Sequence, residues 1–164
     1  MAVDREAVVG RPVGAATVHV ERGPVTAFAR AVTDDNPIYS DPEAAAAAGF
    51  DAIPAPPTFT FAAQSWGRFP EDQPEDPTGG SNPMAEIMGQ LMANGGLILH
   101  GEQEFTYHQP VVVGQTLHHH GEVVDLYTKE SGERVMTFLV IENRFTDDDG
   151  QPVVTETFNL IHRS

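Results

Sequence analysis

A short polar stretch, TDDNPIYSDPE at residues 33–43, holds side chains suited to proton transfer. Asp34 and Asn36 stand two residues apart, Pro37 follows, and Tyr39 adds a phenol. Helical patterns lie on both sides, so these groups are expected together at a helix end, where a proton can pass to or from a bound substrate. The same residue types form Asx turns and helix caps, and spacing alone favours that structural role.

Two short helices are expected to position this stretch. Apolar residues recur at helical spacing in residues 24–32. Asp41 is a suitable N-cap for a second helix that begins at Pro42, runs through five alanines and stops at Gly49.

Further helices are expected at residues 58–66, where little charge indicates burial, and around 84–92, where methionines recur every fourth position. Those methionines either pack on the core or form a pliable wall for an acyl chain. Between these helices, residues 68–83 are acidic and rich in Pro and Gly, which indicates a surface excursion or a mobile lid.

From Gly96 onward the pattern becomes extended. Four β-rich runs are separated by turn signals, and another strand is expected near Thr17–Glu21. Residues 138–141 are apolar on both faces, so their strand should be central and covered on both sides. Helices followed by a β-meander predict an α+β fold.

Composition excludes several classes of function. Nine Lys and Arg against 24 Asp and Glu give a net charge of −15, which disfavours binding to nucleic acid. Without cysteine, no thiolate nucleophile or thiolate metal site is available. No apolar run reaches 18 residues and the first residues lack an export signal, so a soluble, cytoplasmic protein without membrane association is expected.

Two groups of histidines are possible sites for a metal or for proton transfer. In the triple histidine 118–120 only the outer two residues share a strand face, and no suitably spaced carboxylate completes a metal site, so no metal is expected. His100 and Glu102 are weaker candidates for a proton-transfer pair, because alternation on one strand places both on one face.

The stretch TDDNPIYSDPEAAAAAGF, residues 33–50, resembles the signature of the MaoC-like (R)-specific hydratases, a Gly-Asp-x-Asn-Pro-aliphatic-His run before a helix of small residues. Residues 99–117 and the run that follows are similar to the strands of that family, and PPTFTFAAQSW, residues 56–66, is similar to its central helix. The resemblance spans roughly residues 5–162. It implies one hot-dog domain over residues 1–164, in which a curved antiparallel sheet wraps a central helix.

In that family, an Asp and a His add or remove water across the α,β double bond of an acyl thioester. The resemblance places Asp34 at the catalytic aspartate, while Asn36 and Pro37 also match. Thr33 stands where glycine is usual, and Tyr39 stands where the catalytic histidine belongs. A phenol with a pKa near 10 substitutes poorly for an imidazole with a pKa near 6.5. This change is typical of the non-catalytic, N-terminal-type subunit of split (3R)-hydroxyacyl-ACP dehydratases.

The resemblance therefore implies a subunit of a dehydratase or hydratase that acts on CoA- or ACP-linked acyl chains. Its partner would be a second copy or a paralogue with an intact Asp/His pair. Two alternatives stay open: a non-catalytic acyl-thioester-binding protein and, more remotely, a hot-dog thioesterase. No metal or redox cofactor is implied, and the substrate carbonyl would accept from backbone N–H groups near the start of the central helix. The residues expected to contact substrate are Pro57, Thr58, Phe59, Phe61, Trp66, Met88 and Met92.

Overall fold

The computed structural model describes residues 4–64, 66, 68–93, 95–132 and 134–163. The helices are α1 (Arg5–Val8), α2 (Arg22–Ala31), α3 (Pro42–Ala47), α4 (Phe59–Ala63) and α5 (Pro83–Met92), with single 3₁₀ turns at Pro37–Tyr39 and Pro70–Asp72. The strands are β1 (Pro12–His19), β2 (Leu97–Tyr107), β3 (Thr116–Ser131), β4 (Arg134–Thr146) and β5 (Pro152–Arg163). Within these ranges, no helix is long and apolar enough to cross a membrane.

The strands form one antiparallel sheet in the order β1-β3-β4-β5-β2. The four predicted C-terminal strands are confirmed. The first strand lies earlier than the predicted Thr17–Glu21, because α2 begins at Arg22 and Glu21 is already its N-cap residue.

The predicted helices around the polar stretch are confirmed with small shifts of their ends. Asp41 caps α3, since its carboxylate accepts a hydrogen bond from the backbone N–H of Glu43. Gly49 follows with a φ of +90°, a left-handed conformation that glycine adopts without strain. The helix α4 is shorter than the predicted 58–66, because the described helical turn ends at Ala63.

Strand β4 is central, as predicted, but only one of its faces is fully covered. Leu139 and Ile141 have no exposed surface and pack beneath Ile87 of α5. Phe138 and Val140 point the other way and stay half-buried, so the prediction of cover on both sides is wrong for this chain. The ring of Phe138 stacks on Tyr127 of β3 instead of meeting a second layer.

The acidic excursion after α4 is anchored to the outer edge of β1. The side chain of Gln73 accepts from the N–H of Thr17 at 3.2 Å and donates to the C=O of Thr17 at 3.0 Å. His19 also lies 2.9 Å from a carboxylate oxygen of Asp72. The surface excursion is therefore confirmed, and its anchoring argues against a freely moving lid over this part.

Candidate functional site

A largely apolar cavity of about 390 Å³ lies at the N-terminal end of α4. We call it cavity A. It is bounded by the chain before α4, by the segment that follows β2, and by the end of the polar stretch. Its apolar walls include Ile38, Phe50, Pro54, Pro57, Phe59 and Val111, and its polar side chains include Tyr39, Thr60, Tyr107 and His108.

Asp34 and Asn36 adopt the turn-forming roles that their types favour. Asp34 Oδ1 accepts from the N–H of Asn36 at 3.1 Å, and Asn36 Oδ1 accepts from the N–H of Ile38 at 3.2 Å. Neither residue lines cavity A. The structural role is therefore present in the fold, and a catalytic role for either residue stays a prediction.

Tyr39 does line cavity A. Burial raises the pKa of its phenol above the ordinary value, and the negative charge of Asp34 raises it further. At neutral pH the phenol therefore stays protonated, so it can donate a hydrogen bond but cannot act as a base.

Thr33, immediately before Asp34, explains why glycine is usual at the start of the motif. Its φ is +60°, in the left-handed region that β-branched residues rarely adopt. Thr58, at the N-terminal end of α4, has a φ of +68°. Strained backbone therefore occurs on two of the three segments that bound cavity A.

Tyr107 forms a hydrogen bond with the N-terminal end of α4. Its hydroxyl accepts a hydrogen bond from the backbone N–H of Thr58 at 2.8 Å. Burial is the main reason that the pKa of Tyr107 is raised, and this hydrogen bond opposes the change. One of the N–H groups near the start of the central helix, where a substrate carbonyl was expected to bind, is thus already bonded within the chain. The next residue, His108, lies 3.0 Å through Nε2 from the hydroxyl of Thr155.

A buried carboxyl group lies behind cavity A and was missed by the sequence analysis. Glu156 of β5 has no exposed surface. It accepts hydrogen bonds from the hydroxyl of Thr60 and, at 3.3 Å, from the amide of Gln64. Burial raises its pKa, although hydrogen bonds from Thr60, Asn143 and Gln64 oppose the change. The signal was available, since strand alternation places Glu156 on the same face as the buried Val154.

The residues expected to contact substrate divide into three groups. Pro57 and Phe59 line cavity A, and Thr58 contacts its Tyr107. Met88 is a residue of α5 and packs against the hydrophobic core that this helix covers. The remaining three side chains do not line cavity A and are exposed: Phe61, Trp66 and Met92. Trp66 lies beyond the end of α4 and is exposed, so the prediction of a buried helix over residues 58–66 is wrong at this residue.

The expected alignment of His100 with Glu102 is also wrong. A β-bulge shifts the register between His100 and Gln103, so simple alternation fails there. Gln103 pairs with Phe158 and lies on the same face of the sheet as His100. The rings of His100 and Phe158 stack there, with their centroids 5.6 Å apart. His100 and Glu102 therefore lack the geometric basis on which they were paired.

The triple histidine binds three different partners. His118 lies 2.9 Å from a carboxylate oxygen of Asp148, and His119 lies 2.9 Å from Oδ1 of Asn143. His120 is 3.9 Å from a carboxylate oxygen of Glu122. In the part of the chain that the structure describes, no three His, Asp or Glu side chains are grouped as metal ligands.

Comparison with known proteins places this arrangement in a family. Residues 7–156 match the family described as FAS1-like, dehydratase domain region. The chain belongs to this family. A UPF0336 protein of Saccharopolyspora erythraea is 31% identical over 144 residues, which cover 88% of this chain and 81% of that protein.

Solved structures confirm the hot-dog fold of this dehydratase family member. A MaoC-like dehydratase is 27% identical with a TM-score of 0.68, over 96% of this chain and 42% of the other. The Mycobacterium tuberculosis ChsH1-ChsH2 complex gives 23% identity and a TM-score of 0.72, over 92% and 83% of the two chains. The (3R)-hydroxyacyl-ACP dehydratase complex HadBC of the same organism is 24% identical with a TM-score of 0.65, and the match covers 90% of this chain and 95% of the other. The resemblance to MaoC-like dehydratases noted from the sequence is therefore confirmed.

Proposed function

We propose that this chain is the acyl-thioester-binding subunit of a (3R)-hydroxyacyl dehydratase or (R)-specific enoyl hydratase, and that a partner supplies the intact Asp/His pair. One observation carries this proposal. Tyr39, which replaces the histidine of the family motif, lines cavity A beside the N-terminal end of α4. A phenol thus lies on the wall of this cavity at the motif position where the family has its histidine.

The walls of cavity A favour an acyl chain as ligand. Prolines and aliphatic or aromatic side chains make up most of the lining, and a pocket of about 390 Å³ is within the usual range for small-molecule sites. The polar groups cluster where a thioester could be oriented, at Tyr39, Thr60 and Tyr107. The carrier, whether CoA or acyl carrier protein, would lie outside this apolar part.

The chemistry explains why a partner is needed. Dehydration removes a proton from C2 of the 3-hydroxyacyl group and protonates the hydroxyl that leaves C3 as water. A positioned acid–base group contributes about 10²–10⁴-fold to such proton transfers. Tyr39, protonated because its pKa is raised, can provide a proton but cannot remove one. The isolated chain should therefore turn over slowly.

Two features support a partner subunit. Strand β2 is an edge of the sheet, and large apolar side chains are exposed on it at Leu97, Leu99 and Tyr107. The net charge of −15 favours a partner with basic surface that would contribute contacts to the phosphates of the carrier. Two structural relatives are themselves named as complexes, HadBC and ChsH1-ChsH2.

Filling cavity A tests the proposed binding. Ala55 lines the cavity, so Ala55→Trp should weaken binding of crotonyl-CoA by at least about tenfold in isothermal titration calorimetry. Ala47→Trp, on the exposed face of α3, is the matched control and should bind like the wild type. Circular dichroism establishes that both variants fold. Equal affinities for the two folded variants would contradict the assignment of cavity A to the acyl group.

A further inference from the structure

A second cavity, of about 470 Å³, lies between the acidic excursion and the sheet, at the C-terminal end of α4. We call it cavity B. It shares no lining residue with cavity A. Its lining combines a cation, an imidazole and amides with an apolar floor, and includes Gln64, Arg68, Asp76, His119, Asn143 and Phe158.

His119 lines cavity B and has an unused hydrogen-bond acceptor. Burial lowers its pKa, so the ring is neutral at neutral pH. Its Nε2 lies 2.9 Å from Oδ1 of Asn143, and the amide of Asn143 also hydrogen bonds to Glu156. This orientation leaves Asn143 Oδ1 as an acceptor, so Nε2 of His119 carries the proton and Nδ1 has the lone pair. No described residue donates a hydrogen bond to Nδ1.

Arg68 offers unused donors. It donates from Nε to Gln73 at 3.4 Å and from Nη1 to the C=O of Gln64 at 3.3 Å, but it forms no ion pair with any carboxylate in the described ranges. Both Arg68 and His119 line cavity B, and the positive charge of Arg68 contributes to the lowered pKa of His119.

The acidic groups around cavity B leave this guanidinium without a partner. Asp76 also lines the cavity, and hydrogen bonds from the hydroxyl and the N–H of Thr78, at 2.7 and 2.9 Å, lower its pKa, so it stays charged. In the described ranges it forms no ion pair with Arg68. Glu156 lies behind Gln64 and Asn143, fully buried, and its raised pKa favours the uncharged form. Arg68 is therefore the positively charged side chain that an anion in cavity B would meet.

We propose that cavity B binds a small hydroxycarboxylate. The carboxylate would accept from Arg68, because a guanidinium pairs with carboxylates through parallel hydrogen bonds. The hydroxyl would donate to Nδ1 of His119, because a neutral imidazole nitrogen accepts only from a donor group. The carbon chain between them would lie on Ile141 and Phe158. This site does not depend on the proposed dehydratase function, since it lies away from cavity A.

Three small compounds test the proposed contacts with Arg68 and with His119 separately, by isothermal titration calorimetry of the full chain. 3-Hydroxybutyrate carries both groups, butyrate lacks the hydroxyl, and 1,3-butanediol lacks the carboxylate. We expect one 3-hydroxybutyrate per chain and affinities at least about tenfold lower for the other two probes, since each loses one hydrogen-bonding group. Arg68→Gln should weaken binding of 3-hydroxybutyrate by about tenfold or more, whereas Arg30→Gln on the exposed side of α2 should not.

A spectroscopic measurement tests the role of His119 without altering the fold. Addition of 3-hydroxybutyrate should shift the imidazole ¹⁵N resonances of His119 and leave those of its neighbours His118 and His120 in place. The proposal is wrong if 3-hydroxybutyrate shows no saturable binding at millimolar concentration. Equal affinity for butyrate, an Arg68→Gln variant that binds like the wild type, or unshifted His119 resonances would each overturn it as well.

Discussion

The buried carboxyl group of Glu156 makes the stability of this protein depend on pH in a defined direction. Its folded-state pKa is raised above the ordinary value of 4.5. As pH increases above about 4.5, the unfolded chain loses this proton before the folded chain does. Glu156 therefore lowers the free energy of unfolding as pH rises through its folded-state pKa, with a limiting slope of about 1.4 kcal/mol per pH unit.

Glu156→Gln removes this dependence at a cost that does not vary with pH. The glutamine oxygen can still accept from Thr60, but its NH₂ group faces the amide of Gln64, which donates in the wild type. Losing that hydrogen bond costs about 1 kcal/mol. We expect the variant to be less stable than the wild type at the acidic end of the range and to gain relative stability as pH rises through the folded-state pKa of Glu156.

The assay is urea unfolding from pH 5.5 to pH 8, above the isoelectric point of about 4.6, with fluorescence and circular dichroism as probes. His119 contributes the opposite dependence. Because its folded-state pKa is lowered, the free energy of unfolding decreases as pH falls below 6.5. This contribution is present in both the wild type and Glu156→Gln. The exposed Glu130→Gln is the matched control and should run parallel to the wild type. Parallel curves for Glu156→Gln and the wild type would refute the reasoning.

Two further predictions concern the backbone and the excursion. Thr33→Gly should raise the free energy of unfolding by about 0.5–1 kcal/mol, because relief of a left-handed conformation costing about 1–2 kcal/mol exceeds the entropy that glycine loses. Urea unfolding checks this, and a less stable variant would show that the conformation at 33 is not strained. Gln73→Ala should release the excursion from Thr17 and speed trypsin cleavage after Arg68, whereas Gln90→Ala on the exposed side of α5 should not. Unchanged cleavage after Gln73→Ala would mean that other contacts hold the excursion.

Local signals in the sequence were sufficient for most elements of the fold, although they did not indicate α1. Asp41 and Gly49 marked the ends of α3, and the glycine-containing turns separated the four C-terminal strands. Likewise, Tyr39 was recognised from a motif within one stretch, and the fold then placed it on cavity A. These features depend on residues only a few positions apart.

The features that were missed depend on distant residues. Thr60 and Glu156 are 96 positions apart, and Thr58 and Tyr107 are 49 apart, so no local pattern pairs them. The bulge after His100 arises in the pairing of β2 with β5. Because of it, Glu102 does not lie on the face that simple alternation predicts. Cavity B likewise combines strands with the excursion, which had no periodicity of its own.

The rate of crotonyl-CoA hydration by the purified chain alone tests the central claim most directly, when it is measured for the wild type and Asp34→Asn under the same conditions. With Tyr39 in place of the histidine, we predict slow turnover, about 10²–10⁴-fold below that of an enzyme with the intact pair, and no further loss on Asp34→Asn. Thioester binding should be the same for both proteins. Robust hydration by the wild type that collapses in Asp34→Asn would show that Asp34 and another group of this chain perform catalysis without a partner.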